Sequence, residues 1–125
     1  MLLSSNQNKS KGFLGEQQVV NWLQKAGYTI LAQNYTCKFG EIDIIAQKQN
    51  VISFIEVKTR FITYFDLSEL ITLGKQRKII ATAKRYIALY GKPDQIYQFD
   101  VALVEKTPDG LIVTYLENAF YGSEF

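Results

Sequence analysis

"GEIDIIAQKQNVISFIEVKTR", residues 40–60, decides the fold. Two apolar stretches, 41–47 and 51–60, flank Gln49-Asn50, a dipeptide suited to a hairpin turn. Val51, Ile52, Phe54, Ile55 and Val57 are good strand formers. Yet the same strand carries Glu56 and Lys58, two residues apart and therefore on one face. Taken alone, so common a tripeptide reads as an ion pair on a half-exposed strand.

The preceding strand changes that reading. Alternation puts Glu41, Asp43 and Ile45 on one of its faces and Ile42, Ile44 and Ala46 on the other. In the next strand Ile52, Phe54, Glu56, Lys58 and Arg60 share a face, and in paired neighbouring strands Asp43 and Glu56 could lie side by side. Two adjacent carboxylates repel, so holding them together requires a cation or a shared proton. A hard divalent ion is the economical answer, since Mg²⁺ binds through one or two carboxylates and keeps several waters. Lys58 would then stand beside such a water, to orient it or to stabilise charge on a phosphate.

A third acid lies upstream. Residues 13–26, FLGEQQVVNWLQKA, have helical periodicity, and Gly27 is a natural stop. At about 100° per residue, Phe13, Val19, Val20 and Leu23 all fall within roughly 60° of Glu16. An acid in the centre of an apolar stripe is costly unless partnered. The alternative is a glutamate favoured at a helix start, with its head reaching water.

Composition narrows the chemistry. The 125 residues contain no histidine, which removes Ser-His and Cys-His nucleophile pairs and most zinc sites. The single Cys37 excludes an internal disulfide and fits a reducing compartment. The polar start, MLLSSNQNKSKG, is neither a signal peptide nor a membrane anchor, so a cytoplasmic protein without membrane association is expected. Residues 1–12 are expected to be mobile and 13–125 to form one domain. Net charge is only +2, but it is uneven. Residues 74–92 hold Lys75, Arg77, Lys78, Lys84, Arg85 and Lys92 without an acid, whereas residues 100–125 hold five acids and one base.

The remaining elements complete an α-β-β-β-α-β-β order. Strands are expected over 28–35, 96–104 and 111–116, with turns at Lys38-Phe39-Gly40 and Pro108-Asp109-Gly110. A helix is expected from Lys75 to Tyr90, its apolar side formed by Ile79, Ile80, Ala83, Tyr86, Ile87 and Tyr90, closed by Gly91 and Pro93. It is long enough for a right-handed crossover between parallel strands. The fold class is therefore α/β, a mixed central sheet flanked by helices. Residues 61–74 read as a loop. Its Phe61, Tyr64 and Phe65 could stack on unpaired bases, though such aromatics more often pack or form a dimer contact. Asp100 points away from the core residues Phe99 and Val101, with a surface or ion-pair role as the default. Asn118, Phe120 and Tyr121 read as a tail closing over the sheet.

An acid on the first helix, an Asp on the second strand and E-x-K on the third resemble the PD-(D/E)xK nuclease superfamily, the restriction-endonuclease-like fold. Glu16, Asp43 and Glu56-Val57-Lys58 match those positions in turn. The chain more closely resembles the YraN family of small bacterial endonuclease-like proteins. The shared motifs are Gly15-Glu16, Gly27-Tyr28, Asn34-Tyr35, "GEIDIIA" at 40–46, "FIEVKTR" at 54–60, "KQRKI" at 75–79, "FDV" at 99–101 and "ENAF" at 117–120. Two positions depart from the family pattern: Thr36 stands in place of an Arg, and Asp66 in place of a Gly after the loop aromatic.

The resemblance implies that Asp43 and Glu56 bind Mg²⁺ or Mn²⁺ together with the backbone carbonyl of Val57. Glu16 would bind directly or through water, and Lys58 would assist the attacking water. The implied reaction is phosphodiester hydrolysis in DNA rather than RNA, at branched or nicked structures rather than defined sequences, as in Holliday-junction resolvases. Relatives of this size often work as dimers, which leaves a homodimer open. Lys75 and Gln76, at the start of the basic helix, and Arg60 are the candidate substrate contacts. The rival readings are a nucleic-acid-binding module with little or no catalysis, and a non-catalytic interaction protein in which Glu56 and Lys58 are a structural ion pair.

Overall fold

Across the Gln49-Asn50 turn, β2 (Gly40–Lys48) and β3 (Val51–Arg60) pair antiparallel from Lys48↔Val51 to Ile44↔Ile55. Gln49 makes the reversal with a left-handed backbone, φ 56°. The computed structural model describes residues 15–60 and 71–121. The first twelve residues, Phe13, the loop positions Phe61, Tyr64, Phe65 and Asp66, and the side chain of Arg60 lie outside the described residues.

Around that hairpin the chain builds one five-stranded sheet in the order β1-β2-β3-β4-β5. β1 (Thr29–Cys37) joins β2 antiparallel through the turn at Lys38-Phe39. The 18-residue α2 (Leu73–Tyr90) then carries the chain to β4 (Ile96–Thr107), which runs parallel to β3 from Val51↔Ile96 to Arg60↔Glu105. β5 (Gly110–Phe120) returns antiparallel. A parallel neighbour requires a crossover of this length, whereas antiparallel neighbours need only tight turns. The first helix, α1, occupies residues 15–25. The architecture is the restriction-endonuclease-like α/β fold, α-β-β-β-α-β-β around a mixed sheet.

The two helices cover opposite faces. Val19, Val20 and Leu23 of α1 pack with Ile44, Ile55 and Ala102. Ile79 and Ala83 of α2 pack with Ile42, Ile45, Phe54 and Val101. Both faces of β3 and β4 are thereby withdrawn from water, which suits their nearly continuous apolar sequences. Among the described residues, no helix is long and apolar enough to cross a membrane.

Several boundaries differ from the sequence expectation for identifiable reasons. α2 begins at Leu73 rather than Lys75, because the Thr72 hydroxyl accepts a hydrogen bond from the Lys75 amide at 3.2 Å and caps the helix. Gly91 closes α2 by lacking a side chain rather than by left-handed geometry. Its φ is −65°, and a Cβ there would meet the Ile87 carbonyl oxygen at 2.6 Å and Tyr97 Oη at 2.8 Å. Tyr90, expected on the apolar side of α2, is exposed and rests on Tyr86. β5 runs on to Phe120 because Asn118, φ 51°, absorbs an irregularity and lets Phe120 pair with Phe99.

Asp100 departs furthest from expectation. It is fully buried, and among the described residues it makes no ion pair. Its carboxylate accepts hydrogen bonds from the Tyr115 hydroxyl, from Gln98 Nε2 at 3.2 Å and from the Asn118 amide at 2.9 Å. Three donors replace the water it lost. Of the expected tail, Phe120 does close on the sheet, stacked on Phe99 at 5.1 Å, but Tyr121 is 77% exposed.

Candidate active site

Strict alternation fails in β2. Ile42 and Ile45 both lie in the cluster under α2, while Ile44 and Ala46 lie in the one under α1. A regular strand cannot put residues three apart on one face, so the backbone turns between them. The expected grouping of Glu41 and Asp43 with Ile45 is therefore overturned. On β1, Gln33↔Ile44 and Tyr35↔Ile42 stay in register with Asn34, φ 52°, between them, and the register shift lies further off, between Ile30 and Ala32. Asparagine is one of the few residues that tolerates this conformation inside a strand.

Asp43 lies just past the end of the β2–β3 ladder. Pairing of β2 with β3 ends at Ile44↔Ile55. Beyond it the Asp43 carboxylate accepts the Val57 amide at 2.8 Å, a donor that β2 backbone would otherwise take. That bond sets Asp43 one residue from Glu56. Across the sheet, Asp43 also reaches the field of Glu16 on α1. Gly15 makes this approach feasible, since a Cβ there would collide with Thr59 Oγ1. Position 15 of α1 thus lies directly on β3, and Glu16 follows one residue later.

Glu56 is only 6% exposed. Burial first, and then the hydrogen bond and charge of Asp43, push its pKa up to about 8; Lys75 and Lys58 pull the other way without overcoming this. The pair holds a proton where two bare carboxylates would repel. Glu16 is also raised, by burial first and then by Asp43, with a hydrogen bond from the Asn34 side chain opposing. Lys58 is lowered, by burial first and then by neighbouring Lys75. For Lys75 burial acts against the charge, but Glu56 leads the attractions that hold its pKa above the ordinary lysine value.

The ion pair at Glu56 is made by Lys75, Nζ to Oε1 at 3.3 Å, on the first turn of α2. Among the described residues Glu56 has no such contact with Lys58, so the simple Glu56–Lys58 ion pair is not what holds these charges. Gln76, expected to contact substrate, donates its Nε2 to the Ile71 carbonyl at 3.0 Å and braces the helix entry. The structure thus brings together Glu16, Asp43, Glu56, Lys58 and Lys75. Asn34 belongs with them and was marked in the sequence only by an Asn-Tyr pair in mid-strand.

Among the described residues, no three His, Cys, Asp or Glu side chains form a ready metal cage. The arrangement still fits a hard divalent ion. Two carboxylates lie together, one of them buried, and Mg²⁺ needs only one or two carboxylates beside its waters.

A model of the Uncharacterised protein family UPF0102 matches residues 15–104. A UPF0102 protein of Clostridium perfringens (strain 13 / Type A) is 50% identical over 95 residues, covering 75% of this chain and 78% of the relative. A UPF0102 protein of Clostridium botulinum (strain Hall / ATCC 3502 / NCTC 13319 / Type A) is 43% identical over 117 residues, covering 90% of this chain and 95% of the relative. The matched region runs from α1 into β4 and includes the whole acid and lysine cluster.

Proposed function

The chain belongs to the UPF0102 family, and on that premise we propose that it is a divalent-metal-dependent nuclease, hydrolysing DNA phosphodiesters at branched or nicked structures. The fold and family are those of a PD-(D/E)xK-like nuclease superfamily protein. One observation carries the reading: a buried glutamate lies beside an aspartate held on the Val57 amide, with lysines acting on it from β3 and α2. A structural cluster has no reason to crowd two acids at the mouth of a splayed strand pair.

Asp43 and Glu56 would hold Mg²⁺ or Mn²⁺, with the Val57 carbonyl and Glu16 completing the set as the family resemblance implies. A cation there would polarise a phosphodiester and make a water more acidic. The protein's own groups have separate tasks. The Val57 amide fixes the direction of the Asp43 carboxylate. Lys58, its pKa lowered, gives up a proton more readily than a free lysine and can orient the attacking water. Lys75 rests on Glu56 and offsets the negative charge of the acid site before substrate arrives, and can turn to a phosphate oxygen afterwards. Arg60, next on the same strand, would meet the neighbouring phosphate.

Cleavage of plasmid, branched DNA and RNA with Mn²⁺ tests the reading. Wild type should cut branched DNA, and Asp43→Asn and Glu56→Gln should lose activity by on the order of a hundredfold or more. Equal cutting by these variants would remove the assigned site. The Lys75–Glu56 ion pair favours one second reading, a module that binds nucleic acid without cutting it. In that case Mn²⁺ calorimetry stays silent while DNA is retained at low salt.

A further inference from the structure

The turn that joins β1 to β2 is seated on one flank of α2. A Cβ at Gly40 would meet Thr82 Oγ1 at 3.2 Å and Lys78 Cβ at 3.4 Å, and Thr82 is buried there. At about 100° per residue, Lys75, Lys78, Thr82 and Arg85 fall within roughly 80° of one another, so they share that flank. Lys75 at its head touches Glu56 at 3.3 Å. Arg85 lies ten residues on, about 15 Å along the helix axis. Lys38 adds a cation from the turn itself. Lys38, Lys78 and Arg85 are exposed, and among the described residues none of them makes an ion pair. Glu41, the acid nearest to the turn in sequence, bears on Glu16 at the acid site. Cys37, whose sulfur accepts the Phe39 amide at 3.4 Å, senses the flank's charge. Burial raises its thiol pKa, but the Phe39 amide, the Thr82 hydroxyl, the Gly40 amide and the Arg85 guanidinium together hold it below the ordinary value.

Resting on the nuclease reading, we infer that Lys38, Lys78 and Arg85 seat the phosphate backbone of a double-stranded arm of the substrate, leading away from the bond held at Asp43 and Glu56. Charge complementarity selects a polyanion, since the flank offers exposed cations that no acid neutralises. Phosphate contacts position a duplex and need no groove that reads bases. A single strand would instead use free aromatic faces for its bases. Phe39, the aromatic at this turn, already has Lys38 Nζ over its ring, 5.2 Å from the centroid. Direction comes from Lys75, which belongs to the same flank and reaches the acid pair.

Fluorescence anisotropy of the full chain with a labelled blunt DNA duplex, in EDTA across a salt series, tests the assignment. Lys78→Gln combined with Arg85→Gln should weaken binding and reduce the salt slope by about 1.8, or about 0.9 for each lost phosphate contact. Lys78→Arg combined with Arg85→Lys keeps both charges and should restore the slope. Lys25→Gln removes a lysine from α1, away from this flank, and should keep the wild-type slope. If the double glutamine variant keeps the wild-type slope, or Lys25→Gln loses as much per charge, the duplex does not lie here. If that double variant loses affinity for a single strand but not for the duplex, the occupant is a single strand and the assignment also falls. Cleavage of branched DNA with Mn²⁺, run in parallel, separates the two readings. The double glutamine variant should raise KM and leave kcat close to wild type. A wild type that cuts while this variant binds and cuts normally removes only the flank. A wild type that binds duplex through Lys78 and Arg85 and does not cut removes only the nuclease.

Discussion

At the scale of single residues, Glu56 has the sharpest consequence. Its folded-state pKa of about 8 lies above the ordinary value of 4.5. Between those values the folded chain keeps a proton that the unfolded chain has released. Stability of the metal-free protein should therefore fall as pH rises through this window and level off above it. Urea melts in EDTA from pH 5 to pH 9 should show the decline in wild type, and Glu56→Gln should flatten it. Asp43→Asn removes the repelling charge and should stabilise the metal-free protein at pH 8. Clear destabilisation would instead assign Asp43 a structural role through the Val57 amide. Mn²⁺ must displace the shared proton, so calorimetry at pH 7 in buffers of different ionisation enthalpy should read release of about one proton per ion. Lys58→Met should cost about 10²- to 10⁴-fold in cleavage while leaving Mn²⁺ affinity nearly unchanged.

At the scale of elements, two contacts set the site's dimensions. The Thr72 cap fixes where α2 begins, and so where Lys75 meets Glu56. Thr72→Ala should cost about 1 kcal/mol in thermal or urea unfolding. Thr72→Ser, keeping the hydroxyl, should recover most of it. The other contact is Gly15 on Thr59. Gly15→Ala forces α1 away from β3 and should cost about 1–3 kcal/mol by overpacking. Because Glu16 moves with the helix, its Mn²⁺ affinity should fall as well. The paired variant Gly15→Ala with Thr59→Ala, which reopens the space, should restore both. These elements were largely legible beforehand: the meander, the crossover helix and both final strands follow from apolar periodicity and turn residues. Their ends were less so. Thr72 caps through a hydroxyl that looks the same in a loop, and β5 passes Asn118 only because Phe120 has Phe99 to rest on.

At the scale of the whole molecule, the sheet separates two buried polar centres. Register sets Ile55 beside Asp100 and Glu56 beside Val101, so the acid pair and the Asp100 cluster lie on opposite faces one step apart. Asp100 serves the sheet rather than the chemistry. Asp100→Ala strands the Tyr115 hydroxyl, the Gln98 amide and the Asn118 amide, and should cost about 3–5 kcal/mol in unfolding. Stoichiometric Mn²⁺ binding by the remaining folded protein should be intact, and its loss would show that the two faces are coupled. The sequence by itself determined the topology, because strand and helix periods and turn chemistry are local properties. It also determined that Glu56 and Lys58 share a face and that Asp43 precedes them at hairpin distance, because a period of two residues is a covalent fact. Only the tertiary structure decided that Asp43 lies past the end of the β2–β3 ladder and takes the Val57 amide, that Lys75 rather than Lys58 pairs with Glu56, and that Asp100 is buried. Each depends on how strands and helices pack against one another, and burial and pairing arise from neighbours that are distant along the chain.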